Sequence, residues 1–322
     1  MNADRAWRAW SDRLLSENHV TTDLLAGLWR EVLRFDDVLA GFAENRVPVP
    51  RGTVIVSGSG KETFKTFNVS TAAALLAAAA GVSVVKGTSP SVSAVSGSAD
   101  VLSALGVPVL TSPADVTEAV ERIGIAFVDY GSFCPRYAAR YDGRFSELSP
   151  MSFFMPAASL LVDAEAFLHG LAHSDVGTAA RAIRAARPEL ARGQVVTTDV
   201  GEGMVVDEIA PVGYTRTAEA LGNGVTVSRR TRPGDRAAWR RSVAHRSDHA
   251  SNALVLMEAL RPDADPSLAD FVDLNAAAIV ACARPTITED AALALVREAR
   301  AAGGPNRLLQ SLRQAADQRG TR

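Results

Sequence analysis

The feature that most constrains the fold is a strand, a glycine loop, a helix and a second strand that follow one another within residues 53–86. Thr53–Val56 is a short β-branched run of the kind found in buried parallel strands, and Ser57–Gly60 forms a glycine-rich turn after it. An alanine-rich stretch over 70–80 predicts a helix, and Val82–Lys86 predicts the second strand. Strand, crossover helix and strand make the unit of an α/β sheet. The chain is therefore predicted to contain a central, mostly parallel sheet.

Hydrophobic periodicity extends this pattern along the rest of the chain. Apolar residues at helical spacing predict helices within 3–44 and over 99–105, 115–123, 174–187, 236–260, 268–283 and 289–301. β-branched runs predict further strands at Ile125–Val128, Gln194–Thr198 and Gly224–Ser228. Two prolines, Pro48 and Pro50, separate the first helical stretch from the first strand. This break indicates a crossing from a helical segment into the α/β part.

The composition excludes some classes of protein. The formal net charge of -2 argues against a dedicated nucleic-acid binder, which needs a basic face to displace counterions. Cys134 and Cys282 are far apart and in no CxxC spacing, so a disulfide framework is not expected and a reducing compartment is. Met1–Glu17 has no apolar signal region, and the near-apolar run Ala72–Val85 is shorter than the roughly 20 residues of a membrane span. We expect a soluble, cytoplasmic protein without a membrane segment.

The basic residues are almost all arginine, and the exceptions lie together. Among 34 Lys and Arg residues the lysines are Lys61, Lys65 and Lys86, all inside the strand–loop–helix–strand unit. A lysine ammonium acts as a compact point charge toward phosphate. The three lysines therefore indicate a phosphate-binding role for this unit.

Four short motifs follow one another within residues 57–106. They are Gly58-Ser59-Gly60-Lys61-Glu62, Thr66-Phe67-Asn68-Val69-Ser70-Thr71, Lys86-Gly87-Thr88-Ser89-Pro90 and Gly97-Ser98-Ala99-Asp100. This run is similar to the signature of anthranilate phosphoribosyltransferases and, more distantly, of pyrimidine nucleoside phosphorylases. Further on, Asp207-Glu208 resembles the Asp-Glu pair of the family, and Asp273-Leu274-Asn275-Ala276-Ala277-Ala278 resembles its late helix.

The resemblance implies a Mg²⁺-dependent enzyme that uses phosphoribosyl pyrophosphate. A glycine loop and a helix N-terminus let backbone N–H groups approach phosphates, and Mg²⁺ takes a few protein oxygens together with substrate phosphates. The implied catalytic residues are Lys86, Asp207 and Glu208, and the implied metal ligands are Ser70, Asp207 and Glu208. The residues expected to bind phosphoribosyl pyrophosphate are Gly58, Ser59, Gly60, Lys61, Glu62, Thr66, Asn68, Ser70, Thr71, Lys86 and Ser98.

The chain departs from the family pattern mainly where the acceptor is expected. Lys61 and Glu62 replace a glycine and an aspartate of the first loop, while Gly87-Thr88-Ser89-Pro90 replaces a His-Gly-Asn-Arg. Met151 takes the place of the arginine that contacts the anthranilate carboxylate in the family. Arg136, Arg140 or Arg144 could supply another cation. The expected acceptor is therefore an aromatic or heteroaromatic molecule other than anthranilate, in specialised metabolism. The residues expected to bind it are Gly87, Ser89, Cys134, Met151 and Phe154.

The resemblance also implies a two-domain fold and a homodimer. The smaller, helical domain comprises residues 1–48 with a returning segment at about 134–160. The larger α/β domain comprises residues 49–133 and 161–322 and binds the phosphoribosyl group. Two alternatives stay open: a pyrimidine-type nucleoside phosphorylase, and a non-catalytic relative that binds nucleic acid. The His169–His173 and His245–His249 pairs lack an evident third ligand and are not interpreted as zinc sites.

Overall fold

The structure is a computed structural model that describes residues 3–89, 97–141 and 147–320. Its helices in the described residues are α1 (Ala3–Ser16), α2 (Thr22–Phe35), α3 (Asp37–Glu44), α4 (Val69–Ala79), α5 (Ser98–Ala104), α6 (Pro113–Ile123), α7 (Pro135–Tyr141), α8 (Met155–Ala158), α9 (Val176–Ala186), α10 (Arg236–Val243), α11 (His249–Ala259), α12 (Pro266–Ala283), α13 (Glu289–Ala301) and α14 (Gly304–Gly320). Its strands are β1 (Val54–Gly58), β2 (Val84–Thr88), β3 (Ile125–Asp129), β4 (Ala166–Gly170), β5 (Arg192–Gly201), β6 (Met204–Val206), β7 (Gly213–Leu221) and β8 (Gly224–Arg232).

The strands form one sheet in the order β3-β2-β1-β4-β5-β7-β8, with β6 also paired to β5. Pairing is parallel from β3 through β5 and antiparallel for β6, β7 and β8. The predicted α/β fold with a mostly parallel central sheet is confirmed. Because neighbouring strands β2, β1 and β4 run in the same direction, their carboxyl ends meet at one edge of the sheet.

Helix α4 follows the first strand and is the most deeply buried of the crossover helices. Its small residues allow close packing against α12 on one side and the sheet on the other. Helix α12 is long and apolar enough to span a membrane, but most of it is buried inside the protein. Packing against α4 and against the sheet explains that composition.

The N-terminal helices pack against the segment that follows β3. Phe42 contacts Phe133 with ring centroids 4.9 Å apart, and Arg136 pairs with Asp37 at 2.8 Å. The Tyr137 backbone N–H donates to Asp36 Oδ2 at 2.8 Å. These contacts join the N-terminal helices to residues 133–137. The same hydrophobic core also covers one face of the sheet, so the boundaries of a separate helical domain stay a prediction.

The structure differs from the predicted elements in one divided helix and in several elements that were not predicted. The helix predicted over 236–260 is two helices, because residues 244–248 leave the helix and Asp248 caps a new one by accepting from the Ser251 N–H. Strands β4, β6 and β7 and helices α7, α8 and α14 were not predicted. Strand β4 is a five-residue buried run with no alternating pattern to identify it.

Candidate active site

A cleft opens where the carboxyl ends of β1 and β2 meet the turn after β6. One side, the glycine-loop wall, is formed by lining residues Ser57, Gly58, Ser59, Gly60, Lys61, Glu62, Lys65, Thr66, Phe67, Asn68, Ser70, Lys86, Gly87, Thr88, Ser89, Gly97, Ser98, Asp207, Glu208 and His245. The other side, the aromatic wall, is formed by Trp7, Tyr130, Tyr137, Tyr141, Glu147, Ser149, Met151, Ser152, Met155 and Pro156. The cleft thus joins the end of the sheet to the N-terminal helices.

Asp207 holds the glycine loop in place. Its Oδ2 accepts the Ser59 hydroxyl at 3.0 Å and the Gly60 backbone N–H at 3.1 Å. Gly60 has a φ of 61°, which lies in the left-handed region that glycine adopts at little cost. A Cβ on Gly58 would lie 3.1 Å from the same carboxylate oxygen. Ser59 and Asp207 are 148 residues apart in the sequence, and these contacts join the glycine loop and the acid into one unit.

Three acids converge beside this loop. Burial, and then the charge of Asp207, raise the pKa of Glu62 to about 7. Burial, followed by the charges of Asp207 and Glu62, raises the pKa of Glu208 well above its usual range. Lys65 Nζ lies 3.1 Å from Glu62 and offsets part of this charge. Such a group of acids is unfavourable unless protons or cations neutralise it.

Lys86 faces the acids from the end of β2. Its ammonium is buried and donates to the Gly87 carbonyl at 3.2 Å. Burial lowers the pKa of Lys86 to about 8, while the charges of Asp207 and Glu208 act in the opposite direction. The ammonium therefore carries its charge at neutral pH and loses it a little above.

Several buried polar atoms at this end have no hydrogen-bond partner among the described residues. Among the residues that line the cleft they are Glu62 Oε2, Asn68 Oδ1 and Glu208 Oε2. Asn68 is the N-cap of α4, yet its side chain makes no capping hydrogen bond. Buried polar groups in native proteins are normally paired, so a cluster of unpaired ones indicates a site that a ligand completes. No group of three or more His, Cys, Asp or Glu in the described part of the chain forms a complete metal site by itself.

A buried histidine connects the two walls. His169 on β4 lies 3.0 Å from Ser57 Oγ through Nδ1 and 3.1 Å from the Ser152 carbonyl through Nε2. Burial lowers the pKa of His169 to about 4, so the ring is neutral. Since the carbonyl can only accept, Nε2 carries the proton and Ser57 donates to Nδ1. Ser57 belongs to the glycine-loop wall and Ser152 to the aromatic wall, so the histidine fixes one relative to the other.

The aromatic wall contains a group of stacked rings. The Trp7 and Tyr141 centroids are 5.5 Å apart, and those of Tyr137 and Tyr141 are 5.0 Å apart. Tyr130 and Met151 line the same side of the cleft. These residues come from α1, from the segment after β3 and from α7, and they present flat apolar surface to the cleft.

The structure brings together most of the predicted site residues. Those that line the cleft are Gly58, Ser59, Gly60, Lys61, Glu62, Thr66, Asn68, Ser70, Lys86, Gly87, Ser89, Ser98, Met151, Asp207 and Glu208.

Three residues predicted for the site do not line the cleft. Thr71 is fully buried one residue further along α4. The Cys134 thiol points back to donate to the Tyr130 carbonyl at 3.4 Å. Phe154 packs edge-on against Trp29, with centroids 6.3 Å apart. The segment that follows Cys134 is helical, so alternate residues do not share one face as they would in a strand.

The arginines proposed as replacement cations are placed elsewhere. Arg136 donates to the Phe35 carbonyl and pairs with Asp37, while Arg140 lies over the Tyr141 ring with its guanidinium 5.8 Å from the centroid. Neither lines the cleft. Arg144 lies outside the described residues.

Sequence reasoning missed Trp7, Tyr130, Tyr137 and Tyr141. A signal was available, because three of the four tyrosines in the chain fall within twelve residues, and Tyr137 and Tyr141 have the spacing of one helix face.

Comparisons with known proteins place this cleft in context. The glycosyl transferase family, a/b domain, matches residues 52–305. The chain is 34% identical over 273 residues to the anthranilate phosphoribosyltransferase of Haloarcula marismortui, covering 81% of this chain and 80% of that protein. It is 35% identical over 257 residues to the enzyme of the same name from Anaeromyxobacter sp., covering 77% and 74%.

Two solved structures are similar to this chain over most of its length. The anthranilate phosphoribosyltransferase of Thermus thermophilus superposes with a TM-score of 0.75 at 26% identity, covering 92% of this chain and 85% of that one. The enzyme of Saccharomyces cerevisiae in complex with phosphoribosyl pyrophosphate and Mg superposes with a TM-score of 0.74 at 17% identity, covering 94% and 82%, which is a likeness of fold.

Proposed function

The chain belongs to the anthranilate phosphoribosyltransferase family and is a phosphoribosyltransferase; we propose that it moves the 5-phosphoribosyl group from phosphoribosyl pyrophosphate to an aromatic or heteroaromatic acceptor other than anthranilate, with Mg²⁺ bound at the acids of the cleft. The observation that carries the proposal is the buried group of Glu62, Asp207, Glu208 and Lys86 beside the glycine loop. Burying several ionisable groups together costs free energy, so a purely structural core would not be expected to contain this group.

The donor fits the glycine-loop wall by its charge. Gly58, Ser59 and Gly60 offer backbone approach to a diphosphate, and the N-terminus of α4 adds its positive end. Lys86, charged at neutral pH, supplies a buried cation for the leaving group. Asp207 anchors the loop by accepting two hydrogen bonds from it.

The residues present fit a magnesium ion that shares its ligands with the substrate. Glu208 Oε2 is buried without a partner among the described residues, and Ser70 lines the cleft at the start of α4. Mg²⁺ in phosphate sites keeps waters and substrate oxygens beside one or two carboxylates, so a complete protein cage is not required. When bound, the ion would offset the charge that develops on the departing diphosphate.

In the transfer, the lone pair of the acceptor forms a bond to the ribose C1 carbon. The bond from C1 to the diphosphate oxygen breaks, and its electron pair leaves with the diphosphate. The acceptor atom then releases its proton. Lys86 stabilises the departing charge, while His169 holds Ser57 and Ser152 so that the two walls keep their separation.

The acceptor is proposed to differ from anthranilate because of the aromatic wall. Met151, buried in this wall, stands where the family resemblance places an arginine for the anthranilate carboxylate. A buried carboxylate without a charged partner loses a few kcal/mol of interaction. Tyr137, Tyr141 and Trp7 offer stacking surface for a flat ring instead. We place this reaction in specialised metabolism.

Calorimetry with the purified enzyme tests the donor half of the proposal. Phosphoribosyl pyrophosphate should bind more tightly with Mg²⁺ than without it. Asp207→Asn should weaken that binding at least tenfold, because the neutral amide oxygen accepts the Ser59 and Gly60 hydrogen bonds more weakly than the carboxylate and brings no negative charge to the metal. Glu121→Gln, at an exposed position on α6, is the matched control and should bind as the unmodified enzyme does. Donor binding that ignores both Mg²⁺ and Asp207→Asn would refute the proposal. Nucleoside cleavage by inorganic phosphate without metal would instead favour a phosphorylase.

We further propose that the enzyme is a cytoplasmic homodimer assembled through α1, α2 and α3, as the family resemblance implies. Both cysteines are free and buried, as expected in a reducing compartment. Light scattering of the purified protein at micromolar concentration measures the mass directly, and a monomer would contradict the assembly.

A further inference from the structure

We infer that the acceptor is an uncharged aromatic molecule, one that carries a neutral group such as a carboxamide where a benzoate would carry its carboxylate. This inference rests on the proposed function and concerns which acceptor class the aromatic wall admits. It follows from how charge is distributed between the two walls of the cleft.

The positive charge of the cleft lies on one side. The lysines that line it, Lys61, Lys65 and Lys86, all belong to the glycine-loop wall, where Lys65 pairs with Glu62 and Lys86 faces Asp207 and Glu208. That positive charge is matched to a polyanionic donor and to the neighbouring acids.

The aromatic wall has the opposite character. Among the described residues that line it, none is a lysine or arginine, and Glu147 is a carboxylate. Arg8 is its ion-pair partner at 3.7 Å, with both side chains about half exposed or more, so the pair is screened by water and holds little net attraction for another anion. Arg140 lies over the Tyr141 ring but does not line the cleft. A second carboxylate in this wall would therefore find no lysine or arginine among the described lining residues, and Arg8 is already engaged by Glu147.

The remaining surface of this wall suits a neutral planar ring. Trp7, Tyr137 and Tyr141 form a contiguous group with ring centroids 5.0 to 5.5 Å apart, and Met151 contributes an adaptable apolar side chain at only 5% exposure. The hydroxyls of Ser149 and Ser152 line the same wall and can hydrogen-bond an uncharged polar substituent. A carboxamide keeps the shape and hydrogen-bonding capacity of a carboxylate without its charge.

The transfer itself is the one already described, with the acceptor starting neutral. The lone pair of an amine nitrogen bonds to the ribose C1, the bond from C1 to the diphosphate oxygen breaks with its electrons on the diphosphate, and the nitrogen releases one proton. No oxidant or further reactant is needed.

Matched pairs of acceptors test the inference. The enzyme is loaded with phosphoribosyl pyrophosphate and Mg²⁺ and is then given either 2-aminobenzoate or 2-aminobenzamide. Other aminobenzoates are compared with their amides in the same way. Acceptor binding and diphosphate release are measured for each compound. The neutral member of at least one pair should show kcat/KM or affinity at least about tenfold above its carboxylate. The inference would be overturned if the enzyme preferred the carboxylates or used both members of each pair equally. It would also be overturned if enzyme that still binds the donor neither bound nor used any neutral member. Failure to bind the donor at all would refute the proposed function instead.

Two charge-altering variants and one uncharged control locate the origin of the selectivity. Met151→Arg places a cation in the aromatic wall and should shift the ratio toward the carboxylate by about tenfold, whereas Met151→Leu adds no charge and should keep the neutral preference. Because a buried arginine can impair folding, Glu147→Gln provides an independent reading at a side chain that is 65% exposed. It should raise the relative use of the carboxylate. A ratio unchanged in both charge-altering variants would show that this wall does not select the acceptor.

Discussion

Glu62→Gln should stabilise the protein at alkaline pH and have no effect at acidic pH. The pKa of Glu62 rises from 4.5 to about 7 in the folded protein, chiefly through burial and then through the charge of Asp207. One pKa unit corresponds to about 1.4 kcal/mol, so ionising this carboxyl in the fold costs about 3 kcal/mol. Its side chain is only 15% exposed, so solvent screens little of that cost.

The sign follows from proton binding in the two states. Below pH 4.5 both states hold the proton and no cost arises. Between pH 4.5 and 7 the unfolded chain ionises while the folded carboxyl stays protonated, so stability falls as the pH rises. Above pH 7 the whole cost is present. Glutamine resembles the protonated acid, and it therefore avoids the cost without changing the shape of the loop.

Thermal unfolding without metal or substrate, at pH 4.5 and pH 8, measures the effect. With about 2 °C for each kcal/mol in a chain of this size, Glu62→Gln should raise Tm by about 6 °C at pH 8 and by less than about 1 °C at pH 4.5. Glu121→Gln, at an exposed position, should leave Tm unchanged at both pH values. A Glu62→Gln variant that is less stable at pH 8, or equally shifted at both, would refute the reasoning. The same variant should bind Mg²⁺ with less proton release, since one buried proton is no longer displaced.

Three further predictions concern the same region. Gly170→Ala should lower the free energy of unfolding in urea by about 2 kcal/mol or more and should weaken donor binding, because its Cβ would lie 1.9 Å from the Asp207 carbonyl oxygen. Gly87→Ala is the comparison, because its Cβ would meet only the end of the Leu160 side chain at 2.9 Å. It should lower the free energy of unfolding by less than about 1 kcal/mol. His169→Val should lower stability by about 1 to 3 kcal/mol because it leaves Ser57 and Ser152 without their partner, and equal stability would contradict that link. Donor affinity should fall about tenfold per pH unit above pH 8 as Lys86 loses its proton, and calorimetry from pH 7 to 10 should show this slope flattened in Lys86→Met.

The local part of the site could be predicted from the sequence. Gly58, Gly60, Asn68 and Lys86 lie in one strand–loop–helix–strand unit, and the conformation of such a unit depends on residues close in the chain. Its glycines, alanine-rich helix and β-branched strands each prefer the structure they adopt. The resemblance to a known family then indicated that Asp207 and Glu208 join this unit, which the structure brings about.

The aromatic wall could not be predicted in the same way. Met151 lines the cleft, whereas Cys134 and Phe154, which were predicted for the same site, face Tyr130 and Trp29. Whether a side chain in an irregular segment faces the cleft or the core depends on packing against distant helices. No periodicity in the segment itself records that choice.

The sequence by itself determined the α/β class, the glycine loop and the concentration of lysines near it, because these rest on short-range preferences and on composition. Only the tertiary structure decided that Asp207 clamps Ser59 and Gly60, that Glu62 joins the acids, and that rings from α1 and α7 form the opposite wall. The strand order and the packing of the N-terminal helices bring these residues together across more than a hundred positions. Their charges and pKa values exist only once that burial has removed the surrounding water.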